Sequence, residues 1–216
     1  IGLGRRRIMT ESIEPPLSSP VPERPCEFVL AQDSSFYTTS WQESFSQILP
    51  QERGFHFCNI SIDCKSLQDG LDILQQDLAA VPTPVLIARG PLVSLLSQYY
   101  LESLPLAGLI MVDPILSSHV EALRQLEPCS EQQHEVVQEL LSGSELRPLK
   151  LEPGAVPVLV IRSMKNDILG EAARDVALRH YDADGVFGKV SVLDIADQDA
   201  LKAIDVISEW IDETVL

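Results

Sequence analysis

The 216-residue chain has few basic side chains, with 16 lysines and arginines against 32 aspartates and glutamates. Outside residues 1–26 the imbalance is larger still, with 12 basic and 29 acidic residues. Because such a body repels phosphate backbones and anionic headgroups, binding to nucleic acid and to membrane surfaces is disfavoured. No apolar run approaches the roughly 20 residues that span a bilayer, so we expect no transmembrane segment.

The chain also lacks any Cys-x-x-Cys pair, since Cys26, Cys58, Cys64 and Cys129 are irregularly spaced. In a chain of this length the pattern indicates reduced, mostly buried thiols and a reducing compartment rather than a disulfide framework. His56 and Cys58 would share one strand face as half of a metal site, but no second pair completes that site. We therefore expect no metal and no cofactor.

The N-terminal residues are rich in proline. Residues 10–25, TESIEPPLSSPVPERP, contain five prolines. Because proline removes a backbone donor and fixes φ, the sequence predicts an extended tail over residues 1–25. The arginine-rich start, residues 1–10, has no acidic residue. This is compatible with the remnant of a plastid or mitochondrial transit peptide and equally with a truncated cytoplasmic protein.

From residue 26 to 216, short β-rich apolar runs alternate with helical segments, which is typical of a parallel sheet covered by helices. The predicted strands are Glu27–Ala31, His56–Ile62, Val85–Ala88, Leu109–Val112, Val158–Arg162 and Val190–Asp194. The predicted helices are Ser40–Leu49, Leu67–Ala80, Leu92–Ser103, Glu171–Tyr181 and Ala200–Glu213. Ser40 and Glu43 have the spacing of a capping box. AQDSSF, after the first strand, has no glycine, which disfavours a nucleotide-binding fold.

Within residues 117–150, the stretch 117–143 breaks the alternation, because SSHVEALRQLEPCSEQQHEVVQELLSG places two helical stretches where one crossover suffices. They predict a helical cap inserted above the sheet edge. Five stretches stand out between Cys26 and the C-terminus, namely EFVLAQDSSFYTTSW, RGFHFCNISID, TPVLIARGPLVSLLSQYYLES, VPVLVIRSMKNDILG and KVSVLDIADQDALKAIDVISEWI. In these stretches and in the order of its elements, the chain resembles the α/β-hydrolase family.

The resemblance implies an α/β fold with a mostly parallel sheet, helices on both faces and a helical cap. It also implies a sheet that is short at its N-terminal edge, because members of the family usually have two further strands. The strand Glu27–Ala31 is therefore expected to be exposed and available for pairing with another chain.

The family's nucleophile elbow, G-x-S-x-G, presents a serine on a sharp strand-to-helix turn. Here the elbow reads Ala88-Arg89-Gly90-Pro91-Leu92, so glycine occupies the serine position. Pro91 follows it and has no N–H to donate to an oxyanion. Leu92 replaces a glycine and is expected to crowd the turn. The resemblance therefore implies an elbow without a nucleophile.

The other catalytic positions of the family are altered as well. The loop that supplies a second oxyanion donor aligns with Gln32 and Asp33, and a carboxylate there would oppose a developing negative charge. The position of the triad acid falls on Asn166, and that of the histidine falls on Asp197. No histidine lies beyond His180. Because nucleophile, base and acid act as a unit, we predict no catalytic residue in this chain.

Several polar residues admit both a functional and an ordinary interpretation. Ser94 and Ser97 lie close to the elbow, but we expect them on a solvated helix face rather than in catalysis. Asp63, Asp113 and Asp167 all end strands, where they could form a three-carboxylate cation site. Capping of loops and turns is the favoured role of these aspartates.

These observations lead to two hypotheses. The first is a catalytically inactive α/β-hydrolase-like protein that serves as a structural or binding subunit of a larger assembly. Its protein partners would contact the N-terminal tail, which includes Arg5–Arg7, and the acidic cap, whose glutamates are Glu121, Glu127, Glu131, Glu135 and Glu139. The alternative is a hydrolase or lyase with a displaced catalytic group, or a small-ligand receptor that uses a pocket under the cap.

Overall fold

The protein forms one six-stranded sheet in a computed structural model, which describes residues 12–18, 20–32, 41–62, 66–125, 146–163, 165–187 and 189–215. The strands are β1 (Glu27–Gln32), β2 (His56–Ser61), β3 (Val85–Arg89), β4 (Gly108–Val112), β5 (Val158–Arg162) and β6 (Ser191–Asp194). Their order in the sheet is β2-β1-β3-β4-β5-β6, and every neighbouring pair is parallel. The predicted parallel α/β architecture is confirmed.

Helices cover both faces of the sheet, as predicted. They are α1 (Gln42–Arg53), α2 (Leu67–Leu78), α3 (Pro91–Leu101), α4 (Asp167–His180) and α5 (Ala200–Thr214). Buried residues of α2, α3 and α4 form one core with the sheet, and buried residues of α1 and α5 form the other. No helix within the described ranges is long and apolar enough to cross a membrane.

The two covered faces explain the continuous apolar runs of the inner strands. Along β3, Leu86 and Ala88 belong to one core, whereas Val85 and Ile87 belong to the other. All five residues of β3 and all five of β4 are buried. Because both sets of alternating side chains are covered, neither strand shows the polar alternation of a one-sided sheet.

The prediction that β1 is an exposed edge is wrong. β1 lies between β2 and β3, and β2 is the outermost strand on that side. The reason is the strand order: the first crossover places β2 outside β1, and the next returns to the opposite side of β1. On the outer side of β2, Ile13 forms one antiparallel pair with Phe57. The Ile13 N–H donates to the Phe57 carbonyl at 2.7 Å, and the Phe57 N–H donates back at 3.1 Å.

Residues 12–18 and 20–25, which we call the N-terminal strap, contact the domain beside β2. The Arg24 backbone N–H donates to the Gly54 carbonyl at 2.8 Å, and its guanidinium lies 4.4 Å from the centre of the Phe55 ring. The same guanidinium pairs with Asp212 of α5. The described part of the proline-rich sequence therefore contains no helix, turns at Leu17–Ser18 and is attached to the domain.

Three helix starts differ from the predicted ones, and the smallest difference is at α3, which begins at Pro91 rather than at Leu92. α1 begins after Trp41, which makes no side-chain capping bond, and the predicted cap Ser40 lies outside the described residues. α4 begins at Asp167 rather than at Glu171, because the Asn166 side chain caps it.

The start of the predicted cap is a 3₁₀ helix, Ser117–Gln125, on which Glu121 is exposed. Four of the five predicted cap glutamates lie outside the described residues, namely Glu127, Glu131, Glu135 and Glu139.

Candidate functional site

The turn between β3 and α3 is the position that the resemblance assigns to a nucleophile elbow. Gly90 follows β3, and Pro91 is the first residue of α3. Gly90 has a φ of 119° and a ψ of 152°, a combination adopted essentially only by glycine. Its N–H donates to the Val112 carbonyl at 3.0 Å. Because Gly90, Pro91 and Leu92 are all buried, the turn presents neither a hydroxyl nor an open surface.

Leu92 is accommodated without crowding the turn. It is 5% exposed and belongs to the core formed with α2, α3 and α4. The prediction that Leu92 crowds the turn is therefore wrong, because its side chain packs in the core beside the sheet.

A buried ion pair lies next to this turn. Arg89 is 1% exposed and pairs through Nη2 with Oδ1 of Asp197. Its Nη1 donates to Oε1 of Gln32 at 3.3 Å, and its guanidinium lies 4.6 Å from the centre of the Trp41 ring. Trp41 in turn donates from Nε1 to the Asp197 carbonyl at 2.8 Å. We call Gln32, Trp41, Arg89 and Asp197 the Arg89 cluster.

The Arg89 cluster joins the loops to which the resemblance assigns catalytic groups. Gln32 ends β1 in the oxyanion loop, Arg89 ends β3 at the elbow, and Asp197 occupies the histidine position. Asp33, the other residue of the oxyanion loop, lies outside the described residues. A guanidinium that is neutralised by a carboxylate and stacked on an indole binds these loops together. Neither a guanidinium nor a carboxylate already paired in this way can serve as the nucleophile of an acyl transfer.

Asn166, at the position of the triad acid, has a structural role. Its Oδ1 accepts hydrogen bonds from the backbone N–H groups of Ile168 at 2.9 Å and Leu169 at 3.2 Å. These bonds satisfy two of the N–H groups that α4 leaves unpaired at its first turn.

Replacement of Asn166 by alanine is expected to lower the free energy of unfolding by about 1 kcal/mol, because the two capping bonds are lost. Asn166→Asp is the matched control, since aspartate caps as well as asparagine does. Chemical denaturation of both variants measures the difference. Equal stability of the two variants would contradict the capping role.

Asp113 confirms the loop-capping interpretation, whereas the prediction that Asp167 ends a strand is wrong, because Asp167 is the first residue of α4. Asp113 is 1% exposed, and its carboxylate accepts from the Ser163 N–H at 2.7 Å and from the Ser163 hydroxyl at 2.5 Å. Asp63 lies outside the described residues. Within the ranges that are described, no three metal-ligating side chains come together.

The prediction that Ser94 and Ser97 lie on a solvated helix face is wrong. Both are fully buried, and every residue of α3 is buried. The Ser94 hydroxyl donates to the Ala88 carbonyl at 3.1 Å, and the Ser97 hydroxyl donates to the Ser94 carbonyl at 2.8 Å. Because backbone carbonyls satisfy both hydroxyls, the two serines are compatible with the core.

The described histidines bond to partners away from the elbow. His180 is buried, with Nε2 3.1 Å from Oε1 of Gln98, and burial lowers the pKa of its imidazole to about 4. His56 bonds to Glu23 at 2.8 Å, so its ring is held by the strap. His119 bonds to Asp175 at 3.0 Å. His134 lies outside the described residues.

Neither Cys26 nor Cys58 forms a disulfide. Burial raises the pKa of Cys26 to about 11. Burial also raises the pKa of Cys58, and the nearby carboxylates of Glu27 and Asp77 raise it further. Both groups therefore remain protonated near neutral pH, and a protonated thiol is a poor nucleophile.

The described residues form two surface cavities, and the larger of the two lies at the carboxyl ends of β5 and β6. One, of about 450 Å³, lies between the two ends of the cap and is lined by Leu116, Ser117, Ser118, Leu146, Arg147, Pro148, Leu149 and Arg179. The other, of about 920 Å³, is lined by Arg162, Ser163, Lys165, Asn166, Asp167, Gly170, Glu171, Arg174, Asp194, Ile195, Ala196 and Gln198. Neither lining includes Gly90.

Solved structures with this architecture are α/β hydrolases. The esterase domain of a Rhodothermus marinus protein is 15% identical, with a TM-score of 0.63, over 97% of this chain and 98% of that one. Mouse α/β hydrolase domain-containing protein 10 is 14% identical, with a TM-score of 0.59, over 98% and 97%. An α/β-hydrolase enzyme from a Moroccan lagoon-sediment metagenome is 11% identical, with a TM-score of 0.62, over 88% and 93%. No family model and no curated protein sequence matches the chain. At these identities the likeness establishes the α/β-hydrolase fold alone.

Proposed function

We propose that this chain, an α/β-hydrolase-fold protein, is catalytically inactive and serves as a structural or binding subunit of a larger protein assembly. The observation that carries the proposal is the turn at Gly90. A glycine with a φ of 119° stands where a nucleophile is required, and the residue after it is a proline without an N–H.

The surroundings of the turn support the same proposal. Arg89 and Asp197 form a buried pair, and Asn166 caps a helix, so each of these positions has a structural task. Loss of several members of a catalytic unit removes nearly all of its rate enhancement, because their effects are interdependent. A fold that no longer catalyses can still present a surface, since fold and function are separable.

The proposed contact surfaces are the N-terminal tail, residues 1–25, and the acidic cap, residues 117–150. The strap portion of the tail is largely exposed, with Leu17 fully accessible. The cap sequence SEQQHEVVQELL carries Glu131, Glu135 and Glu139, which are part of the net charge of −16 of the whole chain. A partner with a basic surface would complement this charge.

The absence of catalysis is tested with a fluorophosphonate probe and p-nitrophenyl esters of different chain lengths. We expect no covalent labelling of any serine and no hydrolysis above the rate with heat-unfolded protein. An active serine hydrolase assayed in parallel establishes that the reagents work. Labelling of a single serine in the folded chain would overturn the proposal and favour a displaced catalytic group.

Participation in an assembly is tested in native extract by sedimentation, followed by crosslinking from Lys150 and Lys202. We expect the chain to sediment well above its own mass of 23.9 kDa. Deletion of residues 1–25 is expected to reduce that association. A monomer that is unaffected by the deletion would contradict the subunit role.

The small-ligand receptor is a second candidate, favoured by the cavity of about 450 Å³ between the ends of the cap. Leucine and proline side chains form much of its lining, which suits an apolar ligand. Saturable thermal stabilisation by a small apolar molecule, abolished by Leu116→Arg in the lining, would support this candidate over the subunit role.

A further inference from the structure

We propose that the cavity of about 920 Å³ at the carboxyl ends of β5 and β6 binds a short peptide, of about three residues, through its free ammonium and carboxylate ends. We call it the α4 cavity, because four residues of α4 line it, namely Asp167, Gly170, Glu171 and Arg174. Such a site goes beyond the proposed function, since a chain without catalysis can still hold a small ligand.

The four α4 residues lie on one face of the helix. Their spacing is i, i+3, i+4 and i+7, and residues at these intervals share one side of an α-helix. Asp167, Glu171 and Arg174 are exposed, whereas the core side of α4 carries residues such as Leu169. The face that α4 turns away from the core therefore presents two carboxylates and a guanidinium to the cavity.

Gly170 leaves room in the middle of this face. A Cβ at this position would meet no atom within 4 Å, and Gly170 is not among the glycines with a positive φ. Glycine is one of the least favourable residues inside a helix, so neither packing nor backbone conformation in this chain explains its presence. Close approach of a ligand to the helix backbone does explain it, because such an approach requires a residue without a side chain.

The charged lining favours a ligand that carries both signs. Arg162 and Asp194 pair with each other at 2.7 Å. The other charged residues of the lining form no ion pair with any residue that the structure describes, and they are Lys165, Asp167, Glu171 and Arg174. An anion alone would meet the two carboxylates, and a cation alone would meet the lysine and the arginine. A zwitterion complements both and, having no net charge, is not repelled by a chain of net charge −16.

The length of the charged face matches a peptide better than a single amino acid. Asp167 and Arg174 lie about two helical turns apart, which is about 10 Å along the axis. Three extended residues also span about 10 Å, so a tripeptide can place its ammonium at Asp167 and its carboxylate at Arg174. A single amino acid carries both groups on one carbon and cannot reach both ends of this face.

Two side-chain amides of the lining complement the peptide units of such a ligand. Asn166 caps α4 through Oδ1, which leaves its NH₂ group as a donor at the cavity. Gln198 is exposed on the β6 side and carries both a donor and an acceptor. Since each peptide unit has one N–H and one C=O, these amides provide the groups that a peptide backbone requires.

The proposal is tested by titrating three peptides into the full chain and following binding by calorimetry. The peptides are L-trialanine, its N-acetyl form and its C-terminal amide. We expect saturable binding of trialanine, and binding about three-fold weaker for each blocked form, because each has lost one ion pair at an exposed position.

Two variants assign the ends of the peptide. Asp167→Asn is expected to weaken the binding of trialanine about three-fold and to leave the acetylated peptide unaffected, because that peptide has no ammonium. Arg174→Gln is expected to weaken trialanine binding and to leave the amide unaffected. The control is Asp69→Asn, since Asp69 is also an exposed aspartate in the first turn of a helix, and it is expected to change nothing.

Gly170→Leu tests the position of the site. Its side chain would fill the α4 cavity, so we expect no peptide binding by a variant whose circular dichroism shows it to be folded. No saturable binding by the unmodified chain, binding retained in Gly170→Leu, or an equal effect of Asp69→Asn would each overturn the proposal. Undiminished binding of the acetylated peptide would also overturn it, because the site would then recognise a carboxylate alone. These outcomes are independent of serine labelling and of sedimentation, which test the proposed function.

Discussion

Replacement of Asp197 by alanine is expected to lower the free energy of unfolding by about 3–5 kcal/mol. The reason is the position of its partner: Arg89 is 1% exposed, and the Asp197 side chain is 19% exposed. Without that carboxylate, the buried guanidinium beside Trp41 loses the ion pair that its Nη2 makes. Urea denaturation followed by tryptophan fluorescence and circular dichroism measures the loss.

The matched control is Asp194→Ala, three residues earlier. Asp194 pairs with Arg162 at 2.7 Å, but its side chain is 73% exposed. Because solvent screens such a pair, we expect its removal to cost less than about 1 kcal/mol. If Asp197→Ala costs no more than Asp194→Ala, the Arg89 cluster does not hold the loops together.

A double substitution distinguishes the effect of an unbalanced charge from the effect of changed packing around Trp41. Arg89→Met together with Asp197→Ala removes both charges and keeps an apolar chain beside Trp41. Replacement of a buried pair by apolar side chains is often close to neutral, whereas removal of one partner is not. We therefore expect the double variant to be more stable than Asp197→Ala, which corresponds to a strong coupling energy in the double-mutant cycle.

The inner strands could be predicted from the sequence because each is a short apolar run with β-branched residues. All residues of β3 and β4 are buried, so an apolar run in the sequence is enough to locate each strand along the chain. The order of the strands depends on where each crossover returns, and no local pattern encodes this. For that reason the sequence predicts an exposed edge at β1, whereas β2 is the outermost strand on that side.

The altered elbow could likewise be read from the sequence, since Gly90 and Pro91 are adjacent and lie between a strand and a helix. The role of Arg89 could not, because its partner Asp197 lies 108 positions away. An arginine at the end of an otherwise apolar run, VLIAR, was the available signal, since buried arginines are almost always paired. The burial of Ser94 and Ser97 was missed because both lie on a helix that is covered on all sides.

Introduction of a serine at the elbow is expected not to create an esterase. Gly90→Ser places a Cβ on a residue with a φ of 119° and a ψ of 152°, where side chains other than hydrogen are strained. We expect a loss of about 1–3 kcal/mol in the free energy of unfolding. Gly90→Ala should show the same loss, because the strain comes from the Cβ rather than from the hydroxyl. Gly170→Ala is the control, since a Cβ there meets nothing within 4 Å.

Rebuilding the remaining positions is expected to fail for a second reason. The triple variant Gly90→Ser, Asn166→Asp, Asp197→His carries the three residue types of a catalytic triad, yet Pro91 still has no N–H for an oxyanion. The Asp197→His substitution also removes the carboxylate that pairs with Arg89. The change that supplies the catalytic base is therefore expected to destabilise the loop that carries it. Fluorophosphonate labelling and p-nitrophenyl ester hydrolysis of the triple variant should therefore stay at background. Hydrolysis well above background would mean that the backbone at residue 90 rearranges readily and that the Arg89 cluster is dispensable.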